Sequence, residues 1–463
     1  MIANEPLLIR GARLIDPSTG MDMIGDILVM DGNIQRAGSA IRNGDVPSGC
    51  RVIEASGLLA CPGFIDLHVH FREPGYEDKE TIATGSLAAA RGGFTTVCCM
   101  PNTDPAMDNA SVVDYVLRRA READLIRVLP IGCVTKGREG KELAELWELS
   151  QAGAVGFSDD GSPVADPNLM RQALAYSSSL GLPIIQHAED PNLSQDAPVN
   201  EGELSNRLGL RGWPAAAEET MVARDIALAQ LTGGQLHLAH LSTAGSVNLV
   251  RQAKERNQPI TAEVTPHHLT LNERWVQGHD EEGPLSGPLT STAYDTNAKV
   301  NPPLRTERDV AALITGLRDG TIDAIATDHA PHVVTDKLVS LNDAAFGISG
   351  LETALGALMG LVRQSDLTLN ILVERLTAGP ARLLGEKYAS LGTIREGGTA
   401  DIVLVDPDRE WVVRVGEFAS KGKNTPLEGM TLRGMVVATI SGGRIVHSVL
   451  LDAQPMAVGE ANG

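Results

Sequence analysis

From about residue 63 to 385, short runs rich in β-branched residues alternate with amphipathic stretches of helical period, and no other feature constrains the fold of this chain as strongly. Successive parallel strands need a long crossover between them, and a helix supplies it. Eight such runs are predicted strands: Phe64 to His70, Thr95 to Met100, Arg127 to Cys133, Ala154 to Asp159, Pro183 to His187, Leu236 to His240, Ile260 to Val264 and Ala324 to Asp328. Between them lie helical patterns such as "KETIATGSLAAARGG", "KELAELWELSQAG", "AAAEETMVARDIALAQLTGG" and "RDVAALITGLRDG", several closing on glycine. The expected fold is α/β, a TIM-type (β/α)8 barrel.

The ends of the chain have a different pattern. "DILVMDGNIQRAG" and "VVATISGGRIVHS" each read as strand, glycine turn, strand. Neither hairpin would be stable alone, so both ends are expected to meet in one small β-sandwich domain with the barrel inserted between them. The expected division is 1–62 and 386–463 for the small domain and 63–385 for the barrel, with Cys61-Pro62-Gly63 as entry and the chain near Leu391-Gly392 as exit. Three connections, about 189–213, 270–307 and 329–347, have loop composition, and in a barrel such loops form the catalytic face.

The strand ends carry the chemistry. His68 and His70, one residue apart in "GFIDLHVHFREPG", share a face in an extended chain. The fourth strand ends in Asp159-Asp160, the fifth in His187, the sixth in His240 and the eighth in Asp328. A barrel gathers these ends at one mouth. Four imidazoles and two carboxylates exceed the needs of one tetrahedral zinc ion with an open position, which points to two metals. Asp160 suits the bridge, having one oxygen for each cation, and "AVGFSDDG" offers no lysine for that role. Asp159 would then face away or support its neighbour.

Composition narrows the partners. A net charge of −20 repels phosphate, which argues against nucleic acid and anionic membranes, so an anionic substrate needs local cations. No segment is apolar for long enough to span a bilayer and the start lacks a signal-like pattern, so a soluble cytoplasmic protein is expected. The five cysteines, Cys50, Cys61, Cys98, Cys99 and Cys133, show no CxxC spacing and read as small core residues.

"DLHVHFREPG", "GGFTTVCCMPNTDP", "GAVGFSDDGSPV", "QHAED", "LHLAHLSTAGS", "AEVTPHHL", "KVNPPLR", "ATDHAPH" and "FGISGLETALG" together resemble the successive signatures of bacterial class I dihydroorotases, in the amidohydrolase superfamily. The resemblance spans nearly the whole chain. It implies two Zn²⁺, one held by His68, His70 and Asp328, the other by His187 and His240, bridged by Asp160 and a hydroxide. The implied reaction is the reversible cyclisation of N-carbamoyl-L-aspartate to (S)-dihydroorotate in pyrimidine biosynthesis, with Asp328 shuttling the proton. Arg72, Asn102 and His332 would grip the substrate carboxylate; His70, Asn301 and the backbone at Phe346 and Gly347 would touch the rest. A homodimer is what the family suggests, and an aspartate carbamoyltransferase partner stays open.

Rival functions are other cyclic amidohydrolases (hydantoinase, dihydropyrimidinase, allantoinase), which usually bridge their metals with a carbamylated lysine, and a noncatalytic scaffold for aspartate carbamoyltransferase. The complete ligand set argues against the scaffold. Taken singly, Arg72 reads as a surface arginine and Asn102 as a turn residue before proline. His267 and His268 exceed the ligand count and read as structural. His237 is expected to face away from His240 and pack against a helix, and Asp66 to share the face of His68 deeper in the barrel.

Overall fold

The computed structural model describes residues 5–280, 283–285, 289 and 292–450. Both chain ends enter one eight-stranded sheet. Leu7–Asp16 pairs with Met21–Met30, which turns back into Asn33–Gly38; on its other edge Leu7–Asp16 meets Arg51–Glu54 and Leu59–Pro62. The C-terminal strand Ile402–Val412 then lies antiparallel on Leu59–Pro62, with Ile402 opposite Pro62, and the sheet continues through Thr431–Ser441 and Arg444–Ser448. The two hairpins turn at Asp31-Gly32 and Gly442-Gly443, all four residues with positive φ, the backbone that a two-residue hairpin needs to match strand twist. The turns touch: a Cβ on Gly443 would stand 2.6 Å from Gly32 Cα, so only glycine fits there. Leu7, Ile9, Leu14, Ile27, Ile402 and Ile440 form the core of this sheet.

The central chain forms two parallel sheets, Phe64–Val69, Phe94–Cys99 and Arg127–Pro130 in one, and Ile184–Gln186, Leu236–Leu238, Ile260–Val264 and Ala324–Ile325 in the other. Single-residue bridges complete the ring: Phe157 pairs with both Gly132 and Ile184, and Val69 pairs with His329. The expected fourth strand, Ala154 to Asp159, is therefore reduced to one bridging residue, and most of the others stop short of the expected ends. Their terminal residues leave the ladder to turn into the mouth. The interior is lined by Ile65, Leu67, Cys98, Ile131, Ile185 and Ala326 among others, while Val69, Val97 and Leu238 face outward against the helices. The protein is thus an α/β (β/α)8-type barrel carrying a β domain built from both ends.

The helices start where the sequence supplies side-chain acceptors. Thr81 caps Ile82–Arg91 and Thr306 caps Glu307–Asp319, each with a reciprocal capping box. Of the three long connections, 189–213 contains the short helices Pro191–Ser194 and Glu203–Leu208, and 329–347 contains Val334–Lys337. In the 270–307 connection, residues 281–282, 286–288 and 290–291 lie outside the described residues. No helix among the described residues is long and apolar enough to cross a membrane.

Candidate active site

Strict alternation would not bring these side chains together. The pairing of Phe64–Val69 with its neighbour shifts register between Asp66 and Val69, so Leu67 lines the barrel and His68, next to it, also turns inward. Asp66 consequently does not share the face of His68; it accepts hydrogen bonds from the backbone and hydroxyl of Thr327 and from the backbone of His68. At the sixth strand, Ala239 lines the barrel and His240 would point out, but a φ of 32° rotates it into the mouth. Asp328 (φ 48°) and Arg72 (φ 64°) share this left-handed backbone, which costs a non-glycine residue about 1–3 kcal/mol and is tolerated where the surroundings hold it. Because His240 is the residue that rotates, His237 keeps the inward parity of Ala239. It is not packed against a helix; it hydrogen-bonds Glu263 inside the barrel.

Asp160 lies at the centre. Its Oδ2 is 3.2 Å from His68 Nε2 and 3.3 Å from His70 Nε2, and its Oδ1 is 3.3 Å from both His187 Nδ1 and His240 Nε2. Each oxygen thus faces one pair of imidazoles. Asp328 Oδ1 adds contacts of 3.0 Å to His70 and 3.6 Å to His68. All six side chains are buried. Burial opposes the ionisation of Asp160 and Asp328, but the facing imidazoles outweigh it and hold both carboxyls well below the usual range.

Two groups of donor atoms lie close enough to share a cation: His68, His70 and Asp328, and His68, Asp160 and His240. His68 Nε2 is fully buried yet makes no hydrogen bond, as befits a lone pair reserved for a metal. The residues present therefore fit a divalent ion that takes nitrogen and oxygen donors.

Three supporting residues, Glu263, Glu189 and Arg138, were not singled out by the sequence, although the two glutamates lie within the motifs "AEVTPHHL" and "QHAED". Glu263 accepts from His68 Nδ1 at 2.8 Å; burial resists its charge, but hydrogen bonds from His237 and His68 prevail and hold it at about 2. Glu189 Oε2 is 3.0 Å from His187 Nε2 and accepts from Asn301 Nδ2 at 3.0 Å. Arg138 Nη2 clamps the carbonyl of Asp160 at 2.7 Å. Asp159 takes the backbone N–H groups of Val134 and Thr135 together with the Thr135 hydroxyl, and so stands outside the cluster. His267 and His268 are buried beside the site, the latter bonded to Thr265 and the Pro302 carbonyl.

The remaining expected residues line one cavity of about 270 Å³ together with His70, Asp160, His187, His240 and Asp328: Arg72, Asn102, Asn301, His332, Phe346 and Gly347 all border it. His68 lies deeper and does not. Asn102 Oδ1 accepts from His70 Nδ1 at 2.8 Å. His332 sits between Asp336, 3.1 Å from Nδ1, and the Phe346 carbonyl, 2.9 Å from Nε2. Arg72 Nε donates to the Pro331 carbonyl at 3.4 Å, and burial lowers the pKa of the guanidinium to about 10.

A Dihydro-orotase-like family model matches residues 57–246. The dihydroorotase of Syntrophus aciditrophicus (strain SB) is 48% identical over 441 residues, covering 95% of this chain and 99% of that protein. The dihydroorotase of Anaeromyxobacter dehalogenans (strain 2CP-C) is 49% identical over 444 residues, covering 96% and 98%. Among solved structures, the L-hydantoinase (dihydropyrimidinase) from Arthrobacter aurescens superposes with a TM-score of 0.82 at 25% identity, covering 96% of each chain. The dihydropyrimidinase from Brevibacillus agri NCHU1002 gives 0.78 at 23%, covering 96% of this chain and 95% of that one, a likeness of fold alone. With nearly half its residues shared over almost its full length, the chain belongs to the dihydroorotase family, cyclic amide hydrolases of pyrimidine biosynthesis.

Proposed function

We propose that the cavity at the barrel mouth interconverts N-carbamoyl-L-aspartate and (S)-dihydroorotate, with His68, His70, Asp160, His187, His240 and Asp328 holding two Zn²⁺. When bound, the ions supply a Lewis acid for the amide carbonyl and lower the pKa of water. The chain's own residues do the rest. In the hydrolytic direction, Asp328 takes the proton of the attacking water and returns it to the departing ring nitrogen as the amide C–N bond breaks and a C–O bond forms. In the reverse direction the same carboxylate carries the proton back.

The observation that carries this reading is Arg72. Its half-buried guanidinium borders the same cavity as the metal-binding cluster, and among the described residues no carboxylate lies within 4 Å to pair with it. A substrate carboxylate there would gain two parallel charged hydrogen bonds, a recognition element that uncharged hydantoins do not use. Asn102 and His332 flank that position, and Asn301 with the backbone of Phe346 and Gly347 borders the ring.

The test is an assay of purified protein with L-dihydroorotate and with hydantoin, alongside zinc content by mass spectrometry. Turnover of dihydroorotate alone with near two zinc per chain is expected; equal turnover of hydantoin removes the assigned role of Arg72. The proposal includes the division at 1–62, 63–385 and 386–463 and a cytoplasmic homodimer, and it leaves association with aspartate carbamoyltransferase open. Light scattering with and without that enzyme checks the two associations.

A further inference from the structure

Glu263, on the strand Ile260–Val264, is 1% exposed and gives each of its oxygens to a different imidazole. Oε1 lies 2.8 Å from His68 Nδ1, Oε2 lies 3.1 Å from His237 Nε2, and His237 Nδ1 lies 2.9 Å from Thr261 Oγ1. An ionised carboxylate only accepts, so both facing nitrogens carry protons. With both imidazoles neutral, as a metal ligand must be, His68 is left with a lone pair on Nε2, the nitrogen that faces Asp160 and Asp328 without a hydrogen bond. The same logic makes His237 Nδ1 an acceptor for the Thr261 hydroxyl. Every proton in the string Thr261–His237–Glu263–His68 has one direction.

We propose that Glu263 and His237 are positioning residues for the metal centre, fixing the tautomer and ring orientation of His68 from inside the barrel so that its Nε2 is presented to a zinc-type cation. This rests on His68 being a zinc ligand, as read above. A carboxylate hydrogen-bonded to the far nitrogen of a ligating imidazole also makes that imidazole a stronger donor. His237 is needed because the second oxygen of Glu263 would otherwise be buried without a partner, a costly arrangement. Its own place is unusual for a histidine: with Thr261 it borders a cavity of about 250 Å³ at the opposite end of the barrel, whose other walls include Leu67, Cys98 and Ile185.

The test is zinc affinity of the metal-free protein, measured by competition with a chromogenic chelator, together with the visible spectrum of the Co²⁺-loaded protein, for wild type, Glu263→Gln and His237→Gln. Glutamine keeps the size of Glu263 and an acceptor for His68 but removes the charge. Glu263→Gln is expected to weaken zinc binding by about 10- to 100-fold and to shift the Co²⁺ bands, with a smaller loss in His237→Gln. If Glu263→Gln fails to fold, the same two readings on His237→Gln decide. Zinc affinity within twofold of wild type and an unchanged Co²⁺ spectrum in the variants overturn the inference. Wild type that binds no zinc overturns the zinc reading itself, and this one with it.

Discussion

Arg72 and His332 face one another across the cavity mouth, Nη2 to Nε2 at 3.5 Å, one from the loop after the first barrel strand and the other from the loop after the last. Both present polar atoms to the same small volume, and the charge of Arg72 lacks a carboxylate partner among the described residues. An anionic group bound there would pair with that charge.

Arg72→Gln removes the charge and the forked donor while keeping length. A charged hydrogen bond is worth about 1.5–3 kcal/mol, so KM for dihydroorotate is expected to rise by roughly ten- to a hundredfold. Steady-state kinetics check this, and an unchanged KM would take Arg72 out of the substrate site.

His332 gives the metal-free protein a pH dependence with a definite sign. Burial and the charge of Arg72 lower its pKa to about 3 against the pull of Asp336, from an ordinary value near 6.5. Between these values the unfolded chain binds the proton and the folded chain does not, so stability is full above about pH 6.5 and falls as pH drops towards 3. His332→Gln should remove that part of the slope, which is at most about 1.4 kcal/mol per pH unit. Urea unfolding of metal-free wild type and variant at pH 7 and pH 5 reads it.

Glu189 holds His187 and Asn301 with the same oxygen, which ties a metal ligand to a residue of the substrate wall. Glu189→Gln is expected to lower zinc occupancy and raise KM together. A variant with full zinc content and raised KM would show that only the Asn301 contact counts.

Asp328→Asn keeps an oxygen towards His70 and loses the proton acceptor. Zinc content should stay near wild type while kcat falls by about a hundredfold or more, the usual contribution of a positioned acid–base group. Activity within tenfold of wild type would rule out Asp328 as the proton carrier.

Removal of metal by a chelator should abolish turnover, and Zn²⁺ should restore it. Activity that survives complete removal, verified by mass spectrometry, would contradict a metal-dependent site.

Patterns of local origin were legible in the sequence. The alternation of β-branched runs with capped amphipathic helices announced the barrel, and Asp31-Gly32 and Gly442-Gly443 announced the two hairpins, because a turn with positive φ depends on the residues that occupy it. His68, His70, Asp160, His187, His240 and Asp328 could be named because strand ends meet at one mouth whatever the loops do. The tertiary structure alone decided which way His237 and Asp66 point and how Glu263 and Glu189 are used. The inward or outward sense of a side chain follows a period of two only while pairing is regular, and the register shift between Asp66 and Val69 and the left-handed backbone at His240 break that period. A buried glutamate holding two imidazoles joins residues 195 and 26 positions away from it, contacts that arise only when distant strands close into a ring.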